Sequence, residues 1–425
     1  MLAVSKLKKL SFLIYGLGKS GNAVLKFFKK NKINDFEVWD DDQKKISKNH
    51  KVKNLKLALN YVDYIVLSPG VSLIKNKQLS KFKKKIITDI DLFYLISSKI
   101  KTIVVTGTNG KSTTCKLLEH LLKKNKFKVN LVGNIGTPIL NLKERKINFL
   151  IIEASSFQLS HSKFVRPDFA LFLNLSNDHL DWHGSMNNYL SSKLKIFTLQ
   201  SKKNYALINE KFKKIFKKKK FKSKVIIPKK KAYYNIKSKI KNDYVNSKMN
   251  DENMVFTYSF AKLIKIKDKA FINSMKSFKG LPHRFEIFLK KKRVTFINDS
   301  KATSFKATQP ALSSLKNIYW ILGGLPKKGD KIRLTTNKKN IVKCYLIGKH
   351  INFFKKQIKD KVVFDVTKNL KNSINKISKD VSLKKNISKS ILLSPAAASF
   401  DQFKNFENRG EEFKELCRKN VKRFI

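Results

Sequence analysis

Acidic residues are scarce in this chain: 30 Asp and Glu stand against 93 Lys and Arg, a formal net charge of +63 over 425 residues. An excess of that size suggests a nucleic-acid or anionic-membrane surface. The excess is mostly lysine, spread along the whole chain with asparagine, isoleucine and phenylalanine, residues that share A/T-rich codons. Arginine, the better group for planar phosphate recognition, is sparse. Coding bias is therefore the better account, with steering of a multiply anionic substrate as a by-product. Cysteine is almost missing as well. Cys115, Cys344 and Cys417 lie far apart and are odd in number, which excludes a disulfide framework and zinc-ligand spacing and fits a reducing cytoplasm. No apolar run approaches the ~20 residues of a membrane span, and the run 12–15 is too short for a signal-peptide core. No short-period repeat is visible, which excludes a solenoid.

What is present is ample core material, 42% hydrophobic residues, enough for about three domains at about 150 residues each. The most informative stretch is Ile103-Val104-Val105-Thr106-Gly107-Thr108-Asn109-Gly110-Lys111-Ser112-Thr113-Thr114. A β-branched run feeds a glycine-bearing turn, and an amphipathic segment, 114–124, follows as a helix. That order aims backbone N–H groups and a helix N-terminus at one point, where a phosphate binds. Lys111 has the reach for the β- and γ-phosphates, and Ser112 or Thr113 can place a hydroxyl on Mg²⁺. The spacing departs from the usual phosphate-loop form, since Val105 stands where the first glycine belongs.

Upstream, strands are expected at 11–15, 36–39 and 64–68, with a helix over 22–30. Gly16-Leu17-Gly18-Lys19-Ser20-Gly21 sits at the first strand-to-helix turn, and Asp40, Asp41 and Asp42 follow the second strand. This is a Rossmann-like pattern, and a sugar nucleotide's diphosphate can use the same turn. Strands 149–152 and 169–173 continue the second block, and 294–298, 318–322, 344–347 and 391–393 form a third. The alternation predicts an α/β chain with mostly parallel sheets. The lysine runs 211–231 and 290–292 read as loops.

Two polar clusters close strands of the central block. Glu153 ends Phe149-Leu150-Ile151-Ile152 and precedes Ala154-Ser155-Ser156-Phe157-Gln158-Leu159; beside a phosphate loop, such a carboxylate is placed for Mg²⁺. Asn177-Asp178-His179-Leu180-Asp181 follows the next strand, where His179 suits a metal or phosphate role.

With these stand Leu281-Pro282-His283-Arg284, Asn298-Asp299-Ser300-Lys301-Ala302-Thr303, and the run from Leu392-Leu393-Ser394-Pro395 to Phe406-Glu407-Asn408-Arg409-Gly410. Taken in order, the motifs resemble the ATP-dependent Mur ligases of peptidoglycan synthesis, over nearly the whole chain from Gly16 to Gly410. The last run is similar to the branch of the family that adds D-glutamate to UDP-N-acetylmuramoyl-L-alanine. The resemblance implies three domains: a Rossmann-like UDP-sugar domain over 1–98, a central P-loop ATPase domain over 99–283, and a Rossmann-like C-terminal domain over 284–425. It implies ATP and Mg²⁺ as cofactors, an acyl-phosphate intermediate, and a cytoplasmic monomer without nucleic acid or a membrane span.

By the same resemblance, Gly107, Thr108, Asn109, Gly110, Lys111, Ser112 and Thr113 hold ATP phosphates, with Asn253, Arg284, Asp299 and Lys301 as further nucleotide contacts. Ser112, Thr113, Glu153, His179 and Lys193 surround the metal, and the family's lysine at Lys193 is carbamylated. Lys111, Glu153, His179 and Lys193 form the catalytic set. Ser20, Asp40, Ser68 and Asn134 match UDP-sugar positions, and Thr303, Lys327, Ser399 and Phe406 match the D-glutamate pocket. Two positions depart from the pattern: Met249 replaces the family's histidine before Asn250-Asp251-Glu252-Asn253, and Lys328 stands where relatives have glycine after Lys327. Another ligase of the same superfamily, a Mur ligase adding a different amino acid or a folylpolyglutamate-type ligase, is the near alternative, opposed by the leading 16–21 turn and the 394–410 run. A basic nucleic-acid-binding ATPase is the distant one, opposed by the lack of any RNA-binding module signature.

Overall fold

The computed structural model describes residues 4–46, 50–96, 100–142, 147–327, 329–334, 336–383 and 387–424; Lys328 lies outside them. Three α/β sheets follow one another along the chain. The first comprises β1 (Phe12–Tyr15), β2 (Phe36–Trp39), β3 (Tyr64–Leu67) and β4 (Ile86–Ile87), in the order β2-β1-β3-β4 and parallel throughout. The second comprises β5 (Lys101–Thr106), β6 (Val129–Gly133), β7 (Phe149–Glu153), β8 (Phe169–Phe172), β9 (Tyr205–Ile208) and β10 (Lys224–Ile226). Its order is β10-β9-β8-β5-β7-β6, again all parallel.

The third comprises β11 (Glu286–Lys291), β12 (Val294–Asn298), β13 (Ile318–Gly323), β14 (Ile341–Ile347), β15 (Phe364–Lys368) and β16 (Lys389–Leu393), in the order β11-β12-β16-β13-β14-β15. Here β11 and β12 form an antiparallel hairpin on an otherwise parallel sheet. The chain groups into two compact units, Met1–Lys239 with Glu252–Met275, and Ile240–Asp251 with Lys276–Ile425. The first unit holds the first two sheets and the second holds the third.

Parallel strands are buried on both faces, so their sequences run apolar without interruption. In β7 the pleat sends Leu150 and Ile152 into one cluster with Val104, Phe172 and Phe197. Phe149 and Ile151 go to the opposite cluster with Ile103, Val105 and Leu171. β1 divides likewise, Phe12 and Ile14 to one side and Leu13 and Tyr15 to the other.

The expected strands are all present with ends shifted by a few residues, and the helix expected at 22–30 begins earlier, as Lys19–Lys30. The lysine runs are not loops. Residues 211–231 contain the helix Lys213–Lys218, β10 and the start of the helix Lys230–Lys237. Phenylalanines spaced among the lysines explain why: Phe212 and Phe216 are buried, Phe212 stacks on Phe172 at 4.4 Å, and Phe216 meets Phe197 at 4.9 Å. Lys290 and Lys291 end β11.

A buried acid ties the first sheet's last helix to the second sheet's chain. Asp91, in the helix Asp89–Ile96, accepts from the N–H groups of Lys163 (2.9 Å), Phe164 (2.8 Å) and Thr88 (2.9 Å). Asp91→Ala leaves these donors buried without partners, and equilibrium urea unfolding is expected to show a loss of about 3 kcal/mol. A loss below about 1 kcal/mol would show that water replaces the carboxylate there.

Candidate active site

In an open parallel sheet, ligands bind beyond the C-terminal ends of strands where the strand order reverses. In the second sheet that point is β5, flanked by β7 and β8. Glu153 ends β7, Asn174 follows β8, and the loop Gly107–Gly110 leaves β5, so one crevice gathers all three. The helix Lys111–Lys124 starts without a side-chain cap on Gly110, whose φ of +81° is left-handed. A Cβ at Gly110 would lie 2.2 Å from Asn253 Oδ1. Thr114 Oγ1 bonds the same Asn253 oxygen at 3.2 Å. Asn253 is thus a buttress of the phosphate loop. Asn174 completes it, accepting from the Asn109 N–H at 2.9 Å through its side chain and from the Thr108 N–H at 3.0 Å through its carbonyl. Glu252 in turn accepts from the Asn174 carboxamide at 2.6 Å.

Lys111 folds back on its own loop, donating to the carbonyls of Gly107 and Thr108, each at 2.9 Å. Lys193, in the helix Met186–Thr198, donates to the same Gly107 carbonyl at 2.9 Å and lies 4.6 Å over the Tyr189 ring. It is 1% exposed, and burial, then the nearby Lys111 charge, pull its pKa well below the ordinary lysine value. Tyr189 bonds Thr108 Oγ1 at 3.1 Å.

Glu153 is 1% exposed; its Oε1 accepts from Asn134 at 2.9 Å, and its Oε2 has no hydrogen-bond partner among the described residues. A buried, unpartnered carboxylate oxygen beside a phosphate loop fits a divalent cation. Among the described residues no group of three His, Cys, Asp or Glu side chains is placed to hold a metal ion. Further ligands can then come from the hydroxyls of Ser112 and Thr113, from His179, from a modified lysine, or from phosphate and water, oxygen donors that Mg²⁺ favours. His179 holds a left-handed φ of +54°. Its Nε2 is 3.4 Å from Asp178, and its ring meets Phe157 at 4.7 Å.

The first sheet repeats the geometry at β1, between β2 and β3. Asp40, after β2, accepts from the Leu17 N–H (2.5 Å) and the Asp42 N–H (2.8 Å). Ser68, after β3, donates to the Gly16 carbonyl at 2.6 Å. Asp40 and Ser68 thus shape the glycine turn that Ser20 follows at the head of the helix Lys19–Lys30.

In the second unit the matching positions also collect at strand ends. Asp299, directly after β12, is buried with both oxygens engaged, Oδ1 by the Phe285 N–H (3.0 Å) and Oδ2 by Ser394 (2.7 Å). Burial pushes its pKa up to about 7 against those bonds. Lys301 stacks its ammonium 3.7 Å over the Phe406 ring, and Ser300 Oγ donates to the Phe406 carbonyl at 2.8 Å. Ser399 is buried, Thr303 half-buried and Lys327 exposed. Arg409 is buried beneath this group, bonding the Ser300 carbonyl at 2.8 Å and the Ala397 carbonyl at 3.0 Å. Arg284 sits between His283 and Phe285, both at positive φ.

Sequence reasoning missed Tyr189, Asn174 and Glu252. Asn174 alone left a signal, as the first polar residue after a buried strand.

Residues 105–276 match the family described as Mur ligase middle domain. A UDP-N-acetylmuramoylalanine–D-glutamate ligase of Rickettsia prowazekii (strain Madrid E) is 36% identical over 450 aligned residues, 97% of this chain and 99% of the relative. The chain belongs to the Mur ligase family. A ligase of the same name from Rickettsia felis (strain ATCC VR-1525 / URRWXCal2) is 35% identical, covering 96% of both chains. Among solved structures, a Mur ligase (MurF) from Thermotoga maritima in complex with ADP shares the fold at a TM-score of 0.57 and 16% identity, over 97% of this chain and 99% of that one. Among the described residues no helix is long and apolar enough to cross a membrane.

Two outcomes follow from the geometry. Gly110→Ala sets a Cβ against Asn253 in a backbone that disfavours one, and nucleotide affinity measured by calorimetry is expected to fall ~tenfold or more; unchanged affinity would remove Asn253 as the loop's buttress. Asp299 has a folded pKa of about 7 against 3.8 for an ordinary aspartate, so the protonated acid favours folding and that contribution is lost as pH rises from about 4 through about 7. Between about pH 5 and about pH 8, wild type should lose on the order of 3 kcal/mol relative to Asp299→Asn in denaturant titrations; parallel pH profiles would overturn this.

Proposed function

We propose that this chain is an ATP-dependent ligase that adds D-glutamate to UDP-N-acetylmuramoyl-L-alanine in peptidoglycan precursor synthesis, acting as a monomer. The observation that carries the reading is 36% identity across 97% of the chain to a ligase of that name. The crevice chemistry supports it. A carboxylate resists amines until one oxygen becomes a leaving group. The L-alanyl carboxylate oxygen attacks the γ-phosphorus of ATP and ADP departs; the D-glutamate amine then attacks the acyl carbon, an amide forms, and inorganic phosphate leaves. Phosphoryl transfer of this kind is governed by positioning and by cations around the moving charge.

Lys111 and the loop N–H groups of 107–113 hold the transferring phosphates. Glu153 holds Mg²⁺ with Ser112, Thr113 and His179, and Mg²⁺ when bound offsets the repulsion between phosphate and carboxylate. Burial pulls the Lys193 pKa well below the ordinary lysine value, which favours the nucleophilic amine, and carbamylation by CO₂ turns it into the carboxylate that the ligand set lacks. Asn253, Arg284, Asp299 and Lys301 serve the nucleotide, with Asp299 acting through backbone placement because its oxygens are engaged. Ser20, Asp40, Ser68 and Asn134 serve the UDP-sugar. On the second unit, Thr303, Lys327, Ser399 and Phe406 serve D-glutamate, a dicarboxylate that suits a cation and hydroxyl donors. We assign the domains as 1–98, 99–283 and 284–425.

ADP release with UDP-N-acetylmuramoyl-L-alanine should require D-glutamate, and L-lysine or diaminopimelate should not replace it; a preference for either would end the substrate assignment. Lys193→Ala should lower kcat at least ~100-fold, and ¹³C-bicarbonate NMR should show a carbamate resonance in wild type that is missing in the variant. Full activity in Lys193→Ala would exclude the carbamate.

A further inference from the structure

We infer that His183 is a positioning residue that fixes His179 and the segment after Glu153 through a stack of aromatic rings. The inference rests on the functional reading above. His183 ends the short helix Leu180–His183 and is buried, while His179 is partly exposed. His179 also holds a left-handed backbone that a histidine rarely adopts unaided, so its direction must be set by what its ring touches.

Two rings meet His179, Phe157 at 4.7 Å and Tyr189 at 6.4 Å. His183 packs on both. It lies nearly parallel to Phe157, at 5.7 Å and 6°, and tilted against Tyr189 at 5.0 Å. Its Nε2 bonds Ser156 Oγ at 3.0 Å, and its own N–H donates to the His179 carbonyl at 3.0 Å.

Each partner leads to a different part of the crevice. Ser156 and Phe157 open the helix Ser156–His161, which follows Glu153. Tyr189 carries the Lys193 ammonium over its ring and the Thr108 hydroxyl on its own. One imidazole thus joins the carboxylate limb, the His179 limb and the phosphate loop. The positioning needs a flat ring, stacked on Phe157 and tilted against Tyr189, and the polar edge that bonds Ser156 is secondary to it; histidine supplies both in a small volume. An aliphatic residue fills the space but takes from Phe157 its parallel ring neighbour, leaving the edge contacts of Trp182 (4.9 Å) and His179 (4.7 Å), and leaves Ser156 buried without its partner.

Three variants separate positioning from packing: His183→Leu removes ring and bond, His183→Phe keeps the ring, and Ser156→Ala with His183→Phe removes both ends of the bond. With seven histidines in the chain, ring resonances of His179 can be followed by ¹H–¹³C NMR without ligands. We expect them to move in His183→Leu and to stay near wild type in His183→Phe. For ADP release, kcat in His183→Leu should fall ~10- to 100-fold, the Mg²⁺ concentration for half activation should rise, and KM for D-glutamate should change less than about twofold. His183→Phe should recover most of kcat.

Unmoved His179 resonances in His183→Leu, or a lowered Tm with kcat and the Mg²⁺ curve unchanged, would overturn the inference. If His183→Leu does not fold, the His183→Phe pair decides: the double variant should match His183→Phe, and a further loss in kcat would place Ser156 in a role of its own and overturn the stack as the link. Absence of D-glutamate-dependent ADP release in wild type would instead refute the functional reading, and the NMR comparison would still test the stack.

Discussion

The Gly107 carbonyl, at the end of the central strand β5, receives two lysines at once, Lys111 and Lys193, each at 2.9 Å. Two cations share one oxygen only if the site expects negative charge or if one amine is neutral. Burial works toward the second condition by pulling the Lys193 pKa well below the ordinary lysine value, and a triphosphate would satisfy the first. The rest of the crevice follows from this crowding. Tyr189 is drawn over Lys193, its hydroxyl reaches Thr108, and its ring supports His179. At the end of the neighbouring strand β7, Glu153 keeps an oxygen without a hydrogen-bond partner among the described residues.

Much of this was legible before any coordinates. A strand that is apolar throughout and ends in a polar residue reads as a buried parallel strand with its polar group at the C-terminal edge; Glu153 was readable in that way and Asp40 as the first of three acids after β2, whereas Asp299 was placed by the family resemblance alone. The phosphate loop was equally plain, because glycine and a lysine between a β-branched run and an amphipathic helix have few other uses. The sequence could not show which neighbours complete the site. Asn174 and Tyr189 reach the loop across long sequence separations; Asn174 is marked only as the first polar residue after a buried strand, and nothing local marks Tyr189. Lys193 was invisible as chemistry, being one lysine among many until burial distinguished it.

The stretch 211–231 failed for a different reason. Its lysine density masked the period of Phe212, Phe216 and Phe221; Phe216 and Phe221 pack together and against Phe197, and Phe212 stacks on Phe172. In a chain this basic, charge stops marking loops, and only the spacing of aromatic residues separates a solvated turn from the exposed face of a packed element. β11 went unread for a similar reason: Glu286–Lys291 is half exposed, and its pairing with β12 depends on a turn at Lys292, a lysine in left-handed conformation where glycine or asparagine would have given a signal.

The scarcity of acids finds its explanation in where they are placed. With so few carboxylates among so many lysines, surface ion pairing would be a natural use for them. Many instead accept from backbone N–H groups: Asp63 from Ser11 (2.8 Å), Asp168 from Thr102 (2.8 Å), Asp330 from Phe305 (2.8 Å), and Asp91 from three residues. A carboxylate accepting from backbone N–H groups makes charge-assisted bonds at sites where an amide would present a repelling donor. Exposed lysine pairs contribute little by comparison. Codon drift can therefore raise the lysine count at the surface at small cost, while it cannot remove an acid whose oxygens close the ends of strands. Glu153 keeps its carboxylate at the end of β7, where one oxygen accepts from Asn134 and the other is buried without a hydrogen-bond partner among the described residues.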